Sequence, residues 1–261
     1  MNINIAQMLS LSAFANAVLQ DHSVDFSLDH STARFCRSIE FGELTPEGAL
    51  DDFRILAETP NQWFEVLQKK GVGRVRLFYG HSPQIEIADR IGAAFVGGGG
   101  EWIMETLYAD SSDLWEAGWR MAKGGVWKVY YFITAGGGVP LTYRNKSVQN
   151  AIQHLQDILD KIGGFAREQR LVNWVKWFQS ARESLVAEDP LADSDLLPRG
   201  CFSKEAQQLI AGCFQGWVFG GMGSWNDLVF RGKDQDRYVE LSDQLYDAIC
   251  QSLIIGVNSF P

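Results

Sequence analysis

Val126-Trp127-Lys128-Val129-Tyr130-Tyr131-Phe132-Ile133 is the stretch that decides the fold. It is rich in β-branched and aromatic residues and apolar on both faces, which predicts a central strand. Upstream, Trp102 to Tyr108 and Ile91 to Val96 read as further strands, separated by glycine clusters at Gly97 to Gly100 and at Gly124-Gly125. Earlier still, Val75, Leu77 and Tyr79 alternate with Arg74 and Arg76, the period of a half-buried strand, and Gly80 to Pro83 turns the chain. A parallel crossover needs about a dozen residues, so these short connections favour a mainly antiparallel sheet.

Helical periodicity flanks this region. Val148, Ile152, Leu155, Leu159 and Ile162 recur at intervals of 4, 3, 4 and 3, which makes one apolar stripe. Gly163-Gly164 is expected to break that helix, and Leu171, Trp174, Val175, Phe178, Ala181 and Leu185 supply a second, giving a helical hairpin over 147–187. Another helix is expected from Pro60 to Lys70, with Trp63, Phe64 and Leu67 as its stripe and Gly71 as its stop. An N-terminal helix places Leu11, Phe14, Ala15 and Val18 on one face. Residues 187–200 combine four acids, two prolines and a glycine, the composition of an exposed loop. The tail, 201–261, is too short for a robust core of its own, so it is expected to pack back on the sheet. The expectation is a single α+β domain over 1–261, its sheet flanked by helices.

A hydrophobic fraction of 46% and a charged fraction of 21% place the chain among folded globular proteins. The formal charge is −9, so the mean field repels phosphates, and neither a nucleic-acid partner nor polybasic membrane attachment is expected. Cys36, Cys201, Cys213 and Cys250 are scattered with no CxxC pair, which reads as reduced thiols. Ser12 to Ala17 resembles a cleavage site, but no basic segment precedes it and Asn2, Asn4 and Gln7 interrupt the apolar run, so a cytoplasmic location is expected.

Chemistry-bearing patterns are weak. Gly97 to Gly100 lacks the Lys-Ser/Thr of a phosphate-binding loop, and Trp102 follows where a helix should start. Asp21-His22 and Asp29-His30 repeat at an interval of eight, which matches no metal-ligand spacing. Any of His22, His30, His81 and His154 could join an acid in space, but Ser224 lies outside a nucleophile motif and Asp51-Asp52 fits a solvated surface. No catalytic residue, metal or cofactor is assigned on this basis. A small-molecule or hydrolytic enzyme with a His/Asp site is the alternative reading.

The most distinctive segment is Gly216-Trp217-Val218-Phe219-Gly220-Gly221-Met222-Gly223-Ser224-Trp225-Asn226-Asp227, which sets permissive glycines among large aromatics in a tight turn. Trp217, Trp225, Asn226 and Asp227 are the candidate partner-binding residues, expected at an exposed surface. From Gly220 to Asp227 the segment resembles stretches near the C-terminus of bacterial immunity proteins that neutralise secreted polymorphic toxins. The resemblance implies a cytoplasmic, non-enzymatic inhibitor that binds a toxin directly; the negative charge suits a basic toxin domain.

Overall fold

The computed structural model describes residues 1–44, 53–82, 88–95 and 98–261. Its elements run α1 (Ile3–Leu19), β1 (Cys36–Leu44), β2 (Phe53–Ala57), α2 (Pro60–Lys69), β3 (Arg74–Gly80), α3 (Asp89–Gly92), β4 (Glu101–Leu107), β5 (Ser112–Met121) and β6 (Trp127–Gly138). Then come α4 (Val148–Glu168), α5 (Val172–Ser184), α6 (Lys204–Gly216) and α7 (Lys233–Asn258). The fold is α+β, and the strands form a six-stranded sheet of order β2-β1-β6-β5-β4-β3.

β6 lies inside the sheet, as its two apolar faces predict. It pairs antiparallel with β5 but parallel with β1, so the sheet is mixed, with one parallel pair. The long excursion from β1 through α2 and four other strands permits that parallel return. Strands β1, β2 and β5 carry no clean alternation and escape the sequence reading. Ile91 to Val96 is not a strand as far as it is described. Asp89–Gly92 coils into one helical turn, and Asn2 Nδ2 bonds the carbonyls of Ala93 (3.1 Å) and Phe95 (3.0 Å), holding the chain in a turn.

One sheet face carries the core. Ile39, Phe41, Val75, Leu77, Met104, Trp115, Val129 and Tyr131 are buried there. Phe41 stacks between Trp63 of α2 (centroids 4.4 Å) and Tyr131 (5.2 Å). Thr59 caps α2 and Gly71, at φ +73°, comes after it, as expected. Helix α1 is buried on every side rather than on one face. Its amides are therefore structural: Gln7 bonds the Thr32 carbonyl (2.7 Å) and accepts from Tyr131 (2.9 Å). Asn16 exchanges two bonds of 2.8 Å with the backbone of Val75, and Asn258 does the same for Leu77. Two side-chain amides thus stand in for a neighbouring strand along the β3 edge, which satisfies its backbone and blocks further pairing.

Helix α4 runs straight through Gly163-Gly164 and ends only at Glu168, beyond which Arg170 takes φ 58° and Leu171 N–H bonds Ala166 C=O at 2.9 Å. Burial of Phe165 and Ala166 past the glycines outweighs a helix cost of about 1 kcal/mol for each glycine. Within 187–200 the acids Glu188, Asp189, Asp193 and Asp195 are exposed, whereas Leu196, Leu197 and Pro198 are buried. The tail reaches the sheet through Asn258, and one continuous buried cluster joins residues from Ile5 to Phe260. All four cysteines are free and buried. Among the described residues no helix is long and apolar enough to cross a membrane.

Candidate functional site: an aromatic cavity with an exposed apolar mouth

Helix α6 ends at Gly216, and the chain then runs extended through Trp217 before turning at Gly220 to Asp227. The turn is held from within. Ser224 Oγ donates to Gly220 C=O (2.9 Å), Gly223 takes φ +84°, and the Asp227 carboxylate accepts the Gly223 N–H. Trp225 is fully buried among Trp174 (5.3 Å), Phe178 (5.1 Å) and Tyr238 (5.5 Å), and its Nε1 donates to Ser242 Oγ at 2.7 Å. Trp217 is buried against Tyr246 (5.5 Å) and donates to the Phe219 carbonyl (2.7 Å).

Asn226 ties this turn to α3: its Nδ2 donates to Arg90 C=O (2.9 Å) and its Oδ1 accepts from Arg90 Nη1 (3.1 Å). Arg90 is itself buried and paired through Nε with Asp243 at 2.6 Å. Together these contacts bring the turn after α3, the 217–224 segment, the start of α1 and one side of α5 around a cavity of about 540 Å³.

None of the side chains lining the cavity is charged, and three large apolar ones stand open to solvent at it: Phe95 (70% exposed), Trp177 (45%) and Met222 (102%). Burying a side chain of this size is worth about 1.5–3 kcal/mol, so three left open on one cavity are an unspent association energy.

Of the four residues singled out by sequence, Trp217 lines the cavity, while Trp225, Asn226 and Asp227 stand behind the lining and hold the turn. Trp217 and Trp225 do not face solvent, because the glycines of the turn let the chain fold both indoles inward. Asn226 is half-buried and Asp227, though exposed, has its carboxylate engaged within the turn. The residues missed are Phe95, Trp177 and Met222. Trp177 stands off the α5 stripe, and Met222 is flanked by glycines that cannot cover it; both signals were present in the sequence.

Comparison with known protein families, with characterised proteins and with solved structures finds no match.

Titratable groups gather elsewhere. At the end of β3, Asp89 Oδ2 accepts from Tyr79 OH (2.9 Å) and lies 3.1 Å from His81 Nδ1, while His81 Nε2 is 3.9 Å from Asp247. Burial, with Asp243 and Asp89 nearby, raises the Asp247 carboxyl despite His81, and burial chiefly pushes the Tyr79 phenol upward. No hydroxyl or thiol nucleophile of serine or cysteine bonds His81 among the described residues. His30 is structural: its Nε2 donates to Asp195 C=O (2.7 Å) and its Nδ1 accepts from Thr32 N–H (3.2 Å). Burial pushes the His30 pKa down although Asp195 opposes it. His22 is exposed while His30 is buried, and no group of three or more His, Cys, Asp or Glu that could hold a metal occurs among the described residues. Asp51-Asp52 lies outside the described residues.

Proposed function

We propose that this chain is a non-enzymatic protein-binding protein whose contact surface is the mouth of the aromatic cavity. The single observation that supports this reading is the convergence of exposed Phe95, Trp177 and Met222 on one cavity with no charged side chain in its lining. The partner supplies an apolar anchor to the cavity and a basic surface to the surrounding molecule, whose formal charge is −9. The resemblance of Gly220 to Asp227 to immunity proteins makes a basic toxin domain the specific form of that partner. In this reading the protein acts in the cytoplasm, where its four free thiols stay reduced.

Site-specific photo-crosslinking in the native host tests the reading. A photoreactive residue at position 222 or 95 is expected to trap one discrete protein, and the same residue at exposed Val186 is not. Identical products from all three positions, or none from 222 and 95, contradict it. Among the described residues, an enzymatic role is favoured by the His81–Asp89 contact. It predicts an activity abolished by His81→Gln, and crosslinking at 222 would not depend on that change.

A further inference from the structure

A second concavity, of about 820 Å³, lies between α4 and α7 and shares no lining residue with the aromatic cavity, so a ligand held there is independent of the proposed function. Small side chains open it. Ala151 on α4 and Ala248 and Ser252 on α7 line it, and larger residues there would fill the space between the two helices. From Asn150 to Lys161 the trench runs along α4 for about 16 Å, the span of about five residues of extended chain.

The rim is made of carboxamides and cations. Asn145, Asn150, Gln244 and Gln251 border the trench, joined by Lys146, His154 and Lys161. The side chains of Asn145, Asn150, His154 and Lys161 make no hydrogen bond or ion pair among the described residues. Lys146 reaches only Gln251 Oε1, at 3.4 Å. One carboxylate, Asp247, lines the trench, and it lies toward His81. In a molecule of formal charge −9, this rim is locally cationic.

We infer that the α4–α7 trench binds an extended acidic peptide segment. A carboxamide both donates and accepts, which is what the N–H and C=O groups of an extended backbone require. Gln244 is held by Glu240 at 3.0 Å and Gln251 is met by Lys146, which leaves the carboxamides of Asn145 and Asn150 open; a helical ligand has already satisfied its own backbone, so these two would gain nothing from it. Lys146 and Lys161, against the single carboxylate of Asp247, choose acidic over basic side chains.

The probe is a fluorescein-labelled peptide alternating leucine and glutamate, titrated by anisotropy against the full chain. Binding is expected, and it weakens by about tenfold or more when leucine-lysine replaces leucine-glutamate or when alternate backbone amides are N-methylated. The double variant Asn150→Leu/Gln251→Leu, altered at two exposed positions, is expected to lose about tenfold at unchanged Tm. Should that variant fold poorly, Lys161→Glu gives the same readout through charge alone. Equal binding of the N-methylated or the lysine peptide, tighter binding of a helix-locked version, or no binding by the folded protein overturns the inference.

Discussion

The wall of the aromatic cavity, taken together with the turn residues that back it, and the mouth are built from the same kinds of residue and play opposite parts. Trp217 and Trp225 bury their rings and pair their Nε1 atoms, so removing one leaves a void and an orphaned acceptor. Phe95, Trp177 and Met222 leave apolar surface in water, so removing one costs the fold little. Large aromatic residues in a glycine-rich turn therefore do not by themselves mark an exposed apolar surface; what marks one is the apolar side chain that its neighbours cannot cover.

The contrast between wall and mouth breaks most visibly at Trp225. Trp225→Ala should destabilise the fold by about 3–5 kcal/mol, as deletions of buried aromatic rings do, and chemical denaturation would read it as a lower midpoint at similar slope. A change within about 0.5 kcal/mol would move Trp225 into the class of the mouth residues. Next comes Asn226→Ala, which removes the partner of Arg90 Nη1 and of the Arg90 carbonyl while the Asp243 pair remains, and should cost about 1–3 kcal/mol by the same measurement.

Acid should act through the 187–200 loop. His30 is held below its ordinary pKa, so the unfolded chain takes up its proton first and stability falls as pH drops below about 6.5 and through the folded pKa. Protonated Nδ1 can no longer accept from Thr32 N–H. Asp195 adds to the loss at lower pH: burial works to raise its carboxyl, but the Ser31 hydroxyl and N–H bonds and His30 outweigh this and hold it down. Midpoints measured across this range should flatten near pH 6 in His30→Gln, and an unchanged slope would remove His30 as the source of the acid sensitivity. The smallest effect belongs to the mouth: Met222→Ser should shift stability by less than about 0.5 kcal/mol.

Much of the scaffold was legible in residues whose local pattern and tertiary role agree. Val129 and Tyr131 read as an interior strand, and Ile152, Leu155 and Leu159 as a helix stripe, because burial alone sets their period. Gly163-Gly164 misled because a local penalty of about 1 kcal/mol for each glycine yields to packing of α4 that no local window contains. Strand β1 was hidden for a related reason: its partner β6 lies far along the chain, and Arg37 and Glu43, in the register of Ile39 and Phe41, break the alternation. At the site, the sequence located the segment but not its orientation, since the inward turn of Trp225 depends on Ser242 and Tyr238 of α7.

In the proposed function the mouth makes the contact while the wall only supports it. Affinity of the crosslinked partner for Phe95→Ser/Met222→Ser, measured by calorimetry beside Tm, tests this most directly. The expected result is a Kd weakened by about a hundredfold, the loss of two apolar anchors, with Tm shifted by no more than a few degrees. An unchanged Kd at unchanged Tm would contradict it.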